Sequence, residues 1–544
     1  MSITPIASPS ASKPPPPPEP TQIAPIQPPT PPPAPEPIAP PAPVSLEPKT
    51  EASDWIDSSA KRVSRENDVT AYTDAVSFYT DLAATLVREA EEGAVVFLLG
   101  WSCVSNFDLD PKKTKTTLID VLTACSAKKA KVRAMIWSNF VAFEAESKAA
   151  VDAINKLSNG AALFDQRTNV FGSHHQKVIG IIKEGNAIAY CGGMDINTDR
   201  IRQTIPSAPL HDTHLKVRGP AAVHLAEVFE QRWKDHPSAS SLALPKVTAR
   251  FTAPFTTQVG LTYPRIDDGV YTMLKTIAAS QLKKHPQLQN YRLGDMLDRS
   301  GKFRPYAFAA SGDTSALTLI LRAIATASTY IYLEDQYLVS RDISQALAKR
   351  LKQGQVKIVI LLCHPDAGID IAQVWQRHKE FIDDLAAADP GRRNWVATYL
   401  KQAGQPPPYA LAVNTYVHSK CWIFDDQLAI IGSANCSRRS YTYDSEAVVA
   451  VHGAEKPGQR KTIDGQGVPW PTFAKEFRIA LWAKHLARKP REVIDPARAL
   501  PLWFAPPNSS RIAKYNENQK TDPPPTYQID GDLVWSTLVD PDGR

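Results

Sequence analysis

The chain has 544 residues, with 62 Lys and Arg against 56 Asp and Glu, a formal net charge of +6. That length suggests about three units, and so modest a charge argues against a dedicated nucleic-acid binder. Six cysteines (Cys103, Cys125, Cys191, Cys363, Cys421 and Cys436) show no Cys-x-x-Cys spacing, which argues against a disulfide framework or a cysteine metal site.

Of the 47 prolines, 20 fall in residues 1–48, among Ser, Ala, Thr and Glu and without an aromatic residue. Such a segment cannot bury enough apolar area to offset its ordering entropy, so residues 1–52 are expected to be a disordered, partly polyproline-II arm. Met1-Ser2-Ile3-Thr4-Pro5 lacks the basic start and apolar centre of a secretory signal. The most apolar stretch, Ala94 to Trp101, is too short to span a bilayer. The expected place of the protein is therefore cytoplasmic as made, meeting any membrane from the water side.

Tyr72, Val76, Tyr79, Ala83 and Leu86 recur at helical spacing, Gly93 stops that helix, and Ala94 to Leu99 read as a buried strand. A helix over Thr117 to Ala127 and a strand over Val132 to Trp137 follow. Next come a hairpin from His175 to Cys191 and an amphipathic helix from Ala221 to Trp233. The second half repeats the plan: a helix through Leu317, Leu321 and Ile324, a strand at Tyr330 to Leu333, a helix over Ile343 to Lys352 and a strand over Val356 to Leu362. A hairpin from His418 to Ile431 and a helix from Phe473 to Leu486 complete it. Helices alternating with buried strands predict an α/β fold of two pseudo-symmetric α/β/α sandwich lobes, over residues 53–250 and 251–495, with the boundary near Lys246 to Thr257. Residues 496–544 read as an irregular segment wrapping the second lobe, since Trp503, Phe504 and Trp535 are costly to leave in water.

The chemistry-bearing residues lie in the two hairpins. His418-Ser419-Lys420 is followed by Asp425, by Gly432-Ser433-Ala434-Asn435 and by Asp444-Ser445-Glu446. His175-Gln176-Lys177 is followed by Gly192-Gly193-Met194-Asp195. On a strand a His and a Lys two apart share a face, so each hairpin offers an imidazole and an ammonium together. Seven residues after His418 comes Asp425, but seven after His175 comes Ile182, and Glu184 in the longer first turn is a candidate stand-in. Asp425, at the start of a turn, suits a structural role as well as a catalytic one.

These motifs resemble the phospholipase D superfamily, whose two HxKx4D motifs meet across a pseudo-twofold axis. The likeness extends to His211-Asp212-Thr213-His214, Tyr332-Leu333-Glu334-Asp335-Gln336-Tyr337 and Phe477-Arg478, and covers roughly residues 90 to 490. It implies metal-independent cleavage of a phosphodiester: the lysines Lys177 and Lys420 neutralise charge, one histidine attacks phosphorus, and the other serves as acid and base. Either histidine can take either part on the residues alone; by resemblance the nucleophile is His175. Glu446 is expected to hold His418 and Asp212 to hold His175, with Ser433, Asn435, Asp195 and Gly193 supporting the phosphate site. His174, His211 and His214 have no completing Cys or carboxylate spacing, so neither metal nor cofactor is expected.

The resemblance makes phospholipase D the leading function, hydrolysing glycerophospholipids at a membrane surface to phosphatidic acid and a head-group alcohol. A phosphatidyltransferase such as a cardiolipin synthase, or a nuclease, is the alternative within the superfamily. A phosphate-binding adaptor with a proline-rich docking arm is the non-enzymatic one. The chain is similar also to bacterial antibacterial lipase effectors, which would imply a secretion machine and an immunity protein as partners of a monomer, and no nucleic acid.

Overall fold

The computed structural model describes residues 51–110, 112–138, 143–168, 172–201, 210–265, 283, 306–354, 356–364, 372–401, 414–453 and 456–516. The proline-rich arm, apart from its last two residues, and Trp535 lie outside them.

Fifteen strands form one continuous sheet with an internal repeat. In the first half, three parallel strands, Gly160–Asp165, Lys131–Trp137 and Val95–Gly100, lead inward to the hairpin Val178–Lys183 with Asn186–Gly192. The strands His214–Arg218 and Val63–Tyr72 follow, antiparallel. The second half repeats this order: Trp395–Leu400, Lys357–Leu362 and Tyr330–Asp335 in parallel, then the hairpin Cys421–Phe424 with Leu428–Gly432, then Glu446–His452 and Phe255–Thr262. The halves fuse where Val63–Tyr72 pairs antiparallel with Phe255–Thr262. The sheet is α/β as expected, but the two lobes share it. The joining strands are not legible in the sequence because one carries Ser64, Arg65, Glu66, Asn67 and Asp68, and the other begins inside the polar stretch read as a boundary.

Helices cover both faces. Pro220–Asp235, Phe473–Leu486 and Pro496–Phe504 pack on one face in a core shared by both halves, around Phe229, Trp233, Phe477, Trp482 and Trp503. On the other face Ala75–Glu89, Leu118–Ala127 and Glu144–Asn155 cover the first half, and Ser315–Thr326, Arg341–Lys352 and Ala372–Ala388 cover the second. Residues 496–516, expected to be irregular, instead hold the helix Pro496–Phe504 and the edge strand Ile512–Lys514, which pairs with Trp395–Leu400. Trp503 is fully buried there, and burial of so large an apolar surface is what holds the segment down. Among the described residues no helix is long and apolar enough to cross a membrane.

Candidate active site

The two His-x-Lys motifs sit just ahead of their hairpins, at the ends of the strands where the parallel triplets of each half terminate, rather than inside the ladders. Each motif is extended and tied to the other half. The segment Tyr416–Val417 pairs in parallel with Leu210–His211, and His174 bridges Ser445. The main-chain N–H of His418 donates to the His211 carbonyl at 2.8 Å, and that of His175 to the Ser445 carbonyl at 2.9 Å.

This exchange decides the carboxylate partners. Gly192 stands opposite His214 and Gly432 opposite Val448, so Asp212 and Glu446, two residues earlier in each case, are equivalent positions. The partners are crossed: His175 Nδ1 lies 2.9 and 3.1 Å from the Glu446 oxygens, and His418 Nδ1 lies 2.7 Å from Asp212 Oδ2. The expected pairing of Glu446 with His418 and Asp212 with His175 is thus corrected. It assumed that each half completes its own dyad, whereas the short cross-half bridges bring each carboxylate beside the opposite histidine.

Each lysine folds back to the carbonyl of its own histidine, Lys177 Nζ to His175 at 3.0 Å and Lys420 Nζ likewise to His418. Lys177 pairs with Asp195 Oδ2 at 3.1 Å, while Asp195 Oδ1 accepts the N–H groups of Trp101 and Ser102. Lys420 donates to Gln336 Oε1 at 3.0 Å. In the second half the buried carboxylate has moved. Asn435 occupies the position of Asp195, and Asp335, where the first half has Gly100, accepts from the N–H groups of Tyr337, Leu338 and Cys436. Each lysine therefore feels two buried carboxylates, Asp195 and Glu446 at Lys177 and Asp212 and Asp335 at Lys420.

Ser433 donates to Glu446, and Gly193 has no room for a side chain, because a Cβ there would stand 2.1 Å from Asp212 Oδ1. Asn435 Oδ1 is buried and has no hydrogen-bond partner among the described residues. Sequence reasoning missed Asp335, for which two consecutive acids ending an apolar strand were the available signal. It also missed the buried Arg200, whose guanidinium lies 3.6 Å from Asp195 and whose charge acts on His418.

Asp425 does no chemistry. At φ 52° its carboxylate accepts the N–H groups of Ser328, Thr329 and Tyr330 at 2.6, 2.9 and 2.7 Å, capping the start of Tyr330–Asp335 at the end away from Lys420. The catalytic assignment is corrected accordingly. Ile182, at the matching place, packs opposite Val95 instead, and Glu184 is exposed, so it stands in for nothing. Asp425→Ala should cost about 2 kcal/mol or more in urea unfolding, because three N–H groups lose their acceptor. Turnover at a permissive temperature should change by less than about 3-fold, since the group is structural.

A family model described as "Cardiolipin synthase, PLD-like domain" matches residues 320–460, which hold the second half-site. Phospholipase D alpha 3 of Arabidopsis thaliana is 23% identical over 500 residues, covering 74% of this chain and 58% of that protein. These matches support the phospholipase D superfamily for this chain. Phospholipase D alpha 2 of Oryza sativa subsp. japonica is 26% identical over 364 residues, covering 54% of this chain and 41% of that one. The chain spans about half the length of these curated relatives. Among solved structures, phosphatidylserine synthase of Haemophilus influenzae Rd KW20 aligns with a TM-score of 0.44 at 11% identity, over 71% of this chain and 82% of that one.

Burial governs the electrostatics of this site. It pushes Glu446 and Asp212 up to about 7, against the pull of Lys177 on the first and of Lys420 and Arg200 on the second. Burial also holds His175 and His418 well below the ordinary imidazole range, helped by the two lysines, and brings Lys420 down to about 7. Low dielectric favours the neutral form of every group, and an incoming phosphodiester anion restores charge to the lysines. The sign for activity follows. Below about pH 7 Glu446 and Asp212 take up protons and cease to accept from Nδ1–H; above it Lys420 loses its charge. The kcat/KM profile should be a bell centred near pH 7, with the basic limb of kcat displaced upward because bound phosphate favours the ammonium.

Among the described residues one group offers three metal-ligand atoms within 4.8 Å: His211, Glu334 and His485, all buried. Zinc takes such a set. Here the Glu334 oxygens accept from both imidazoles and from the Tyr332 and Ser419 hydroxyls, so the lone pairs a metal would use are engaged.

Proposed function

We propose that this protein is a phospholipase D that acts on glycerophospholipids at a membrane surface without a metal ion. The observation that carries this reading is the pair of buried His-carboxylate dyads, each completed across the two halves and each accompanied by a lysine. Lys177 and Lys420 receive the phosphate oxygens. The bound phosphodiester anion favours the imidazolium at His418, so that ring is protonated on both nitrogens when His175 Nε2 attacks phosphorus; the bond to the head-group oxygen breaks, and His418 passes its Nε2 proton to that oxygen. Water then gives a proton to His418 Nε2, its oxygen attacks phosphorus, and the bond to His175 breaks to release phosphatidic acid. Glu446 and Asp212 keep Nδ1 protonated and steady the imidazolium that forms on each side.

Phosphatidyl transfer is the second reading, favoured by the description of the matching family model. It uses the same covalent intermediate with an alcohol in place of water. Vesicles of mixed phosphatidylcholine, phosphatidylethanolamine and phosphatidylglycerol test both. Release of head group with phosphatidic acid, unchanged by EDTA, supports the hydrolase, whereas products appearing only with an added lipid alcohol support transfer. Loss of all activity with EDTA, or cleavage of DNA alone, overturns the proposal.

A further inference from the structure

Below the His418 half-site lies a buried polar cluster that the chemistry above does not use. Glu334, at the end of Tyr330–Asp335, is fully buried. Its Oε2 accepts from His211 Nε2 at 2.8 Å and from the Ser419 hydroxyl; its Oε1 accepts from the Tyr332 hydroxyl at 2.7 Å and from His485 Nε2 at 3.0 Å. An ionised carboxylate only accepts, so both imidazoles carry their proton on Nε2. Four donors hold Glu334 charged, well below the ordinary carboxylate range, the His211 ring contributing most against burial.

We propose that Glu334, backed by His485, is a positioning residue that clamps His418 and Asp212 together across the two halves. Its Oε2 is shared by one donor from each half. His211 immediately precedes Asp212 in the first, and Ser419 immediately follows His418 in the second. The His211 carbonyl also takes the His418 N–H. One oxygen thus fixes the two segments whose neighbouring side chains meet at 2.7 Å, and that contact sets the His418 tautomer and aims its Nε2 outward. The first half has no glutamate at this place, where Leu99 stands, and ties its segments differently: His174 Nδ1 lies 3.1 Å from the Ser445 hydroxyl with its Nε2 3.2 Å from Asp165, and Gln176, the middle residue of the first motif, is held by Arg232, Tyr263 and the Glu446 carbonyl. The Glu334 clamp therefore acts through His418, and in the first half-reaction it serves proton delivery to the leaving alcohol.

The inference rests on His418 being the acid in the reading above, and the test separates the two. Initial head-group release from phosphatidylethanolamine vesicles is compared with the p-nitrophenol burst from bis(p-nitrophenyl) phosphate, whose leaving group departs without a proton. Glu334→Gln keeps the shape but cannot accept both donors. It is expected to lose about 10–100-fold on the lipid with KM unchanged, and less than about 3-fold on the burst. His418→Ala should show the same pattern, more strongly. If His418→Ala loses both substrates equally, the acid assignment falls. If His418→Ala discriminates and folded Glu334→Gln does not, the clamp is overturned. Should Glu334→Gln fail to fold, Ser419→Ala and His485→Gln decide by the same ratio, and equal losses on both substrates reject the proposal.

Discussion

Replacing His175 with alanine is expected to reduce head-group release by at least about 10⁴-fold, since the proposed mechanism forms its covalent intermediate on His175 and uses His418 as acid and base. The His418→Ala loss on phospholipid should approach it, because an alkoxide leaving without a proton and a water attacking without a base are both slow. The two variants part company on bis(p-nitrophenyl) phosphate. With His418→Ala, attack by His175 still proceeds, but hydrolysis of the intermediate lacks its base, so a stoichiometric p-nitrophenol burst should be followed by a stalled, acid-labile phosphohistidine. His175→Ala should give neither burst nor adduct. Stopped-flow absorbance with intact-protein mass spectrometry reads both. An adduct in His175→Ala and none in His418→Ala would reverse the roles, and the absence of adduct from either would remove the covalent mechanism.

The sequence placed His175, Lys177, His418 and Lys420 in two hairpins because local signals carry that much: the two-residue spacing, the apolar strands behind it and the glycine pairs after it. It placed Ser433, Asn435, Asp195 and Gly193 beside them for the same reason. Which carboxylate serves which histidine is a different kind of information. It depends on the bridges between His174 and Ser445 and between Val417 and His211, contacts between residues more than 200 positions apart that follow from how two similar halves face each other. No periodicity encodes them. Asp425 misled for the opposite reason. A fixed spacing from His418 made it look catalytic, although in an extended chain a residue seven positions along lies roughly 23 Å away. The joining strands escaped because their buried faces carry Asn67, Thr257, Gln258 and Thr262, polar side chains in positions where an apolar pattern was sought.

The crossed dyads make a prediction nearly as large. Asp212→Asn and Glu446→Gln are each expected to lower kcat by about 10³ to 10⁴-fold with little change in fold. An amide presents an N–H where the imidazole needs an acceptor, so the histidine turns to the wrong tautomer, and the imidazolium formed during turnover loses its counter-charge. Double-mutant cycles then identify the partners. Once His418 is alanine, adding Asp212→Asn should cost less than about 3-fold more, because the residue it served is gone; Glu446→Gln in that background should still cost most of its full amount. The reverse holds with His175→Ala, read on whatever residual rate survives. The acid limb gives an independent check. Glu446 and Asp212 titrate near 7 because they are buried carboxylates, and amides do not titrate. Each single variant should therefore lose one of two protonations and show a shallower acid limb. An unchanged limb in both variants would mean that the histidines themselves titrate there and that the carboxylates stay charged throughout. Additivity of Asp212→Asn with His418→Ala would return the site to two self-contained halves.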